Sequence, residues 1–364
     1  MKKPAKISEG EFQRAMIATL VVRTFYASPA GAGEAVSTAA PWVVLLAGAA
    51  AALCFWPVAA ALSRRPAGQN LVDLCLDAGG RPLAIVVTLA IGFFLVGSAG
   101  ISLRQLSEMT VTAIYPHTPQ TYAMVGLAVA STAGAAMDVA GLAWMGSVYA
   151  WPTVIVVLLV LAGNFGWTNY RAVLPLTGHG LLPIAGAVLP LSSYFGELVF
   201  LTVYARFVVS PKQIVRTGVS AVGVSALVLS AVVLVYLMVF PLPSSLDVPF
   251  GLFELTRLVQ GGRYVERLDA LWIIFWAFGT AGVTAASLQV TAILWQGAFR
   301  LPDYRRAILP LAVTMVAVAL LPSNQAAAVV FEVHGFRNWG FLITLVLPLA
   351  VTLLARLRKR ASDA

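Results

Sequence analysis

Charge is scarce in this chain. Asp, Glu, Lys and Arg make up 11% of its 364 residues, against roughly 25% in an ordinary soluble domain. A water-soluble globule of this length would need far more charge on its surface, so a soluble enzyme and a disordered chain are both excluded. Cysteine is scarcer still. Cys54 and Cys75 are the two present, both in or beside apolar stretches, which excludes a disulfide framework and metal-ligand spacing. No HExxH, GxSxG or Walker loop occurs, so hydrolase, metalloprotease and ATP-driven pump chemistry have no support. The expected class is a non-enzyme without cofactor or metal. What is abundant is apolar residues, at 60%, with a mean hydropathy of +0.87. An integral membrane protein is what remains.

Crossing the hydrocarbon core takes about 20 mostly apolar residues in a helix. Ten such stretches are legible, at 12–30, 42–62, 83–114, 122–138, 142–162, 183–208, 214–240, 269–299, 307–321 and 339–357. The third and eighth exceed a perpendicular span and must tilt or project into water. The expected organisation is a segment 1–11, a ten-helix domain 12–357 in two repeats (12–162 and 183–357), and a basic tail 358–364.

The distribution of Lys and Arg orients these spans. Sixteen of the 24 fall on the N-terminal side, five (Arg171, Arg257, Arg263, Arg267, Arg337) on the other, and Arg14, Arg23 and Arg104 within spans. This bias places both termini in the cytoplasm. It also explains the net charge of +9 without nucleic acid. The terminal run RLRKR reads as an anchor near anionic lipid. MKKPAK resembles a signal-peptide start, but residues 8–14 are polar and Arg23 interrupts the apolar run, so the first span is expected to be retained.

Two spans carry helix-breaking residues. The first has Tyr26-Ala27-Ser28-Pro29-Ala30-Gly31 after Arg23, and the sixth has Leu189-Pro190-Leu191-Ser192-Ser193-Tyr194-Phe195-Gly196-Glu197. Spans one and six correspond in a five-plus-five inverted repeat, and paired interruptions point to a substrate site near the membrane midplane. Tolerated proline kinks are the alternative. Arg23 lies roughly 16 Å into its span and Glu197 roughly 21 Å into an oppositely directed one, at 1.5 Å per residue. Charges at that depth face the interior. Either Arg23 and Glu197 lie within about 10 Å of each other beside a ligand cavity, or each satisfies backbone groups at its own break.

Other polar residues carry weaker signals. Arg104 and Glu108, four apart, read as a structural ion pair, and Asp138 reads as interfacial. Gln289 and Gln296 share a helix face and could line a polar seam or bond a neighbouring helix. His179 reads as a solvated loop residue. The clusters Gly97, Ser98, Gly100, Ser102 and Thr280, Thr284, Ser287 fit either close helix packing or a pocket. In 249–269, Phe250, Leu252, Phe253, Leu255 and Leu258 alternate with Glu254, Arg257 and Arg263. This predicts a short outer helix that either meets a partner or the membrane surface, or lids the bundle.

Four stretches, in order, resemble the B subunit of spore germination nutrient receptors, the amino-acid-permease-like GerAB family of the APC superfamily. They are Leu103-Arg104-Gln105-Leu106-Ser107-Glu108 followed by Tyr115-Pro116-His117-Thr118-Pro119; Pro175-Leu176-Thr177-Gly178-His179-Gly180-Leu181-Leu182-Pro183; Phe195-Gly196-Glu197; and Glu266-Arg267-Leu268-Asp269 before span eight. The resemblance implies an all-α membrane fold of about ten helices, LeuT-like, with a five-plus-five inverted repeat and broken spans one and six. It also implies a small polar nutrient ligand such as an amino acid, partner subunits of the A type and the lipoprotein C type, and residence in the bacterial plasma or inner spore membrane. The implied function is germinant sensing, and the alternative is proton-coupled amino-acid transport. By that fold the ligand sits between spans one, three, six and eight, at Arg23, Thr24, Ala27, Ser28, Phe94, Ser98, Tyr194, Glu197, Thr284 and Ser287. One departure is Val22-Arg23-Thr24 where the family has a glycine-rich break. Arg23 could there pair with a ligand carboxylate or with Glu197.

Overall fold

The computed structural model describes residues 6–23, 29–66, 68–113, 117–242, 250–259 and 268–363. Span one begins at a reciprocal capping box, in which Ser8 N–H donates to Glu11 Oε2 and Glu11 N–H to Ser8 Oγ. It opens α1 (Glu9–Arg23) and resumes as α2 (Pro29–Val36). Span two is α3 (Ala40–Ser63) and span three is α4 (Leu71–Ala113). Spans four and five are α5 (Gln120–Ala136) and α6 (Val139–Gly163), the latter capped by the Asp138 carboxylate on Gly141 N–H. Span six is α7 (Leu181–Ser192), a 3-10 turn Ser193–Leu198 and α8 (Val199–Tyr204). Span seven is α9 (Gln213–Val239), and a short α10 (Gly251–Leu258) precedes span eight, α11 (Leu268–Phe299). Span nine is α12 (Arg305–Ala319). Span ten is α13 (Gln325–Val330), a π-turn Phe331–Arg337, α14 (Asn338–Phe341), a second π-turn Leu342–Val346 and α15 (Leu347–Asp363).

Among the described residues seven helices are long and apolar enough to cross a membrane. The helices of spans one, four and nine, of 15, 17 and 15 residues, fill the remaining expected positions. The packing pairs carry a two-fold relation. The first half of span one lies on spans five and seven, and span six lies on spans ten and two. Span four packs on span eight as span nine packs on span three, while two meets seven and three meets eight. Shifting every span by five maps each of these contacts onto another of them or, for two with seven and three with eight, onto itself, as two inverted repeats require.

Two expected boundaries are corrected, and one alternative left open is decided. The link 63–82 is not all loop, because α4 starts at Leu71. Asn70 caps it through Val72 N–H while Asp73 returns a bond to Asn70 N–H, and Gly80 (φ 72°) bends the chain into the span proper. Span ten starts at Gln325 rather than residue 339, capped by Asn324. Arg337 is therefore not on the outer surface: it is buried inside that span, where an ion pair described below offsets its charge. The apolar face of α10, finally, is covered by this chain. Phe253 packs at a tilt against Trp272 at 5.6 Å, Phe250 edge-on to Trp276 at 6.1 Å, and Asn164 Nδ2 donates to Leu255 O. The helix lids the bundle and leaves the Glu254–Arg257 pair outside. Arg263 lies outside the described residues.

Span eight is tied to its neighbours by Gln289. Its Oε1 accepts from Tyr204 Oη at 3.0 Å, and its Nε2 donates to Ala135 O and Met137 O. Tyr204→Phe should strand a buried acceptor and lower stability by about 1–3 kcal/mol, read from thermal unfolding of the purified protein. No change would show that the bond contributes nothing. The glycines of span three serve packing: a Cβ on Gly100 would meet Met315 O at 2.6 Å, and one on Gly97 would enter the Phe336 ring.

Candidate functional site

The sixth span is interrupted where its sequence loses helix-forming groups. Pro190 has no N–H to give, and Ser192 Oγ turns back to Leu189 O. Six residues of 3-10 helix follow, with Phe195 at φ −104°, ψ 16°. Runs of this geometry beyond three or four residues are uncommon and mark hinges. Gly196 lets Thr344 of span ten approach, since a Cβ there would lie 2.8 Å from Thr344 Oγ1.

The facing part of span ten is irregular as well. A π-turn adds a residue per turn, so residues five apart share a face. In 331–337 those pairs are Phe331–Phe336, whose rings meet at 5.9 Å, and Glu332–Arg337. Arg337 Nε and Nη2 donate to Glu332 Oε1 at 3.2 and 3.1 Å. Nη1 donates to Ser193 O at 2.9 Å, at the span-six break, and Nη2 reaches Ser98 Oγ of span three at 3.4 Å. Gln105 Nε2 donates to the other Glu332 oxygen at 2.6 Å. The guanidinium lies 5.7 Å from the Tyr194 ring centroid. Arg337 is 3% exposed, Glu332 2% and Glu197 0%. Glu197 lies within electrostatic reach of Arg337. One buried cluster thus joins spans three, six and ten.

A cavity of about 670 Å³ opens beside this cluster, between α2, α7 and span ten. Gly31, Glu34, Pro190, Tyr194, His334, Arg337 and Trp339 are among its lining residues. On the other face of the break, toward the N-terminus, a small cavity of about 30 Å³ lies among Phe12, Thr19, Tyr149, Phe200 and Tyr204. That side is latched. Ile7 N–H donates to Phe207 O and Val209 N–H to Ile7 O, and Gln13 Nε2 donates to Ser220 Oγ at 2.8 Å. A third cavity, a groove of about 570 Å³ between α5 and α12, is lined by Val125, Ala128, Thr132, Leu309, Val313 and other small or apolar residues. It offers a polar ligand no charged partner.

Of the residues singled out in the sequence, Ser98 and Tyr194 touch Arg337 directly. Phe94 packs edge-on to Phe336 at 6.1 Å, beside Gly340. Glu197 is buried in the 3-10 turn. Thr284 and Ser287 are buried in span eight, with Ser287 Oγ bonded to Val283 O of its own helix; no contact among the described residues joins them to Arg337. Thr24, Ala27, Ser28 and the side chain of Arg23 lie outside the described residues, and with them the expected Arg23–Glu197 proximity. Arg104 pairs with Glu108 at 3.2 Å and reaches Ser323 O. His179 is exposed. Sequence reasoning missed Arg337, Glu332, Gln105 and Ser193. The available signal was a glutamate and an arginine five apart, flanking His334, beside an apolar run.

The fold is shared with solved transporters at low sequence identity. MhsT, solved in complex with L-phenylalanine, aligns with a TM-score of 0.73 at 13% identity, covering 98% of this chain and 90% of that one. Mhp1, a nucleobase-cation-symport-1 family transporter, aligns in a closed conformation with a TM-score of 0.69 at 13% identity, covering 98% and 94%. The inward-facing conformation of Mhp1 aligns with a TM-score of 0.57 at 13% identity, covering 99% of this chain and 93% of that one. The fold is therefore the LeuT-like one that these structures share. Among characterised sequences, spore germination protein XB of Bacillus anthracis is 23% identical over 217 residues, 56% of this chain; the match spans 57% of that relative's length. The spore permease family, described as spore germination protein, matches residues 6–327, nearly the whole helical domain, and the chain belongs to that family.

Proposed function

We propose that this protein is the nutrient-sensing membrane subunit of a spore germination receptor. It binds a small polar, amino-acid-like molecule at mid-membrane and passes the change to A-type and lipoprotein C-type partners. The observation that carries this reading is the buried Arg337–Glu332 cluster wrapped around the span-six break, next to a cavity large enough for a small solute. Intramembrane charges are costly and mark ligand or ion sites. A ligand that favours one of two arrangements of the broken spans shifts their population, and partners contacting those spans read the shift. In this reading Arg23, Thr24, Ala27 and Ser28 of span one, Phe94 and Ser98 of span three, Tyr194 and Glu197 of span six, and Thr284 and Ser287 of span eight surround the ligand. The two repeats occupy 12–162 and 183–357, both termini are cytoplasmic, and the chain resides in the inner spore membrane.

A proton-coupled transporter is the second reading. It is favoured by the transporter fold and by a carboxylate, Glu197, buried at the break. Two assays separate them. Purified protein should be stabilised against heat by at least one member of a nutrient panel. In liposomes carrying an inward proton gradient it should then show no concentrative uptake of that nutrient. Gradient-driven uptake would establish transport instead, and no stabilisation by any nutrient would sink both readings.

A further inference from the structure

The groove of about 570 Å³ between α5 and α12 opens on the outside of the bundle. Ala128 and Ala312 are buried at its floor, and Val125, Leu309 and Val313 stand exposed along its walls. The hydroxyl of Thr132, also in the groove, donates to Ala128 O of its own helix at 2.6 Å, so an occupant meets a hydrocarbon surface. From Val125 to Ala136 the groove follows α5 for about 16 Å at 1.5 Å per residue, half of the roughly 30 Å hydrocarbon core. A membrane-spanning helix would need the full thickness. The acyl chain of a lipid in one leaflet needs half of it.

One end of this groove is cationic. Arg305 and Arg306 precede Leu309 by four and three residues, so they continue the groove-lining face of α12 by one turn. Both are exposed, and neither forms an ion pair among the described residues. The carboxylates near this end, Asp303 and Asp138, are each turned onto a backbone N–H, of Arg305 and Gly141. Tyr304 Oη donates to Met137 O at 3.0 Å and so ties the end of α5 to the start of α12. The Arg305 guanidinium lies 5.8 Å from the Tyr304 ring centroid. The cations therefore sit about 5.4 Å, one turn, beyond the apolar lining, where a lipid phosphate meets the end of its chains.

We propose that this groove binds one acyl chain of an anionic glycerophospholipid, whose phosphate rests on Arg305 and Arg306. Basic residues between membrane helices attract anionic head groups in this way. The lipid lies between spans four and nine, which the two-fold relation exchanges and which pack on spans eight and three. It braces the two repeats from outside. The site is separate from the nutrient cavity and does not rest on the ligand-binding reading.

The test uses the full chain purified in an uncharged detergent and titrated with phosphatidylglycerol or phosphatidylcholine of identical chains. Native mass spectrometry counts the lipid bound and gives each Kd. Phosphatidylglycerol should bind the parent protein more tightly. Arg305→Gln and Arg306→Gln should each weaken it by about fivefold, leaving phosphatidylcholine binding and the melting temperature unchanged. Arg305→Lys and Arg306→Lys should keep the preference, since a point charge suffices. Ala133→Phe, on an exposed residue of the groove, should weaken both lipids. Equal binding of the two lipids by the parent protein refutes the site, as does a preference that survives both glutamine variants. Glycerol phosphate competing as well as the lipid would show that the groove contributes nothing. A dimer that Ala133→Phe dissociates would give the groove to a second copy and overturn the proposal too.

Discussion

Glu332→Ala should destabilise the protein by about 3–5 kcal/mol, the largest effect expected of any single change, because it leaves a buried guanidinium without its counter-ion. Arg337 is 3% exposed, so the little water that reaches its edge from the cavity replaces only part of what the carboxylate supplied. The damage also spreads. Gln105 Nε2 loses its acceptor, and Arg337 becomes free to leave Ser193 O and Ser98 Oγ. Spans three, six and ten are then no longer held at one point. Arg337→Met on its own should cost a similar amount, for the mirror-image reason. The double variant Glu332→Gln with Arg337→Met should recover most of the loss, since a neutral pair of similar volume has no charge to desolvate. Thermal unfolding in detergent measures all three. Single variants within about 0.5 kcal/mol of the parent, the range of ordinary surface changes, would mean that water reaches the pair and that it is not buried as described.

Gly178→Ala should cost about 2–4 kcal/mol, combining a left-handed backbone angle with overpacking. Gly178 sits at φ 51°, a region that L side chains enter at a penalty. Its missing Cβ would run into the Val36 carbonyl oxygen and come within 3.2 Å of the Ala39 side chain. Thr38 Oγ1 donates to Pro175 O in the same contact. The turn entering span six is thereby clamped onto the turn leaving the second half of span one. Both halves border the 670 Å³ cavity through Gly31, Glu34, Pro183 and Gly186. Forcing the two turns apart should weaken ligand binding as well as stability. Gly223→Ala is the matched control. It lies in α9 with nothing near its Cβ position, so the substitution should be neutral or stabilising by up to about 1 kcal/mol. Equal losses at both positions would indicate a general intolerance of alanine rather than a clamp.

The parts of the fold written in local chemistry were legible without coordinates. Pro190 with Ser192, Ser193 and Gly196 announced the break in span six, because each weakens an α-helix in a known way. The alternation in Phe250–Leu258 announced α10, although only the packing of Phe253 on Trp272 decided that it lids the bundle. The third span was misjudged at its start. A capped helix bent by one glycine at residue 80 has the same composition as a polar link. The core of the cluster was illegible for a more specific reason. Glu332 and Arg337 are five apart, and no regular α-helix puts such residues on one face. With His334 between them they read as an outer loop, and Arg337 was assigned to the surface. Only the π-turn makes them partners, and that turn is set by tertiary contacts. Phe336 fills the notch at Gly97, and Gly340 admits Phe94 and Ser193.

The claim on which the account stands is that the two interrupted spans border a chamber that takes the ligand. The structure of the full-length protein with its tightest-binding nutrient tests this most directly. Ligand density should lie between α2, α7 and the Phe331–Arg337 turn, against Tyr194, with span six still broken at 193–198. Density confined to the apolar groove between α5 and α12, or a sixth span straightened into one continuous α-helix around no ligand, would contradict it.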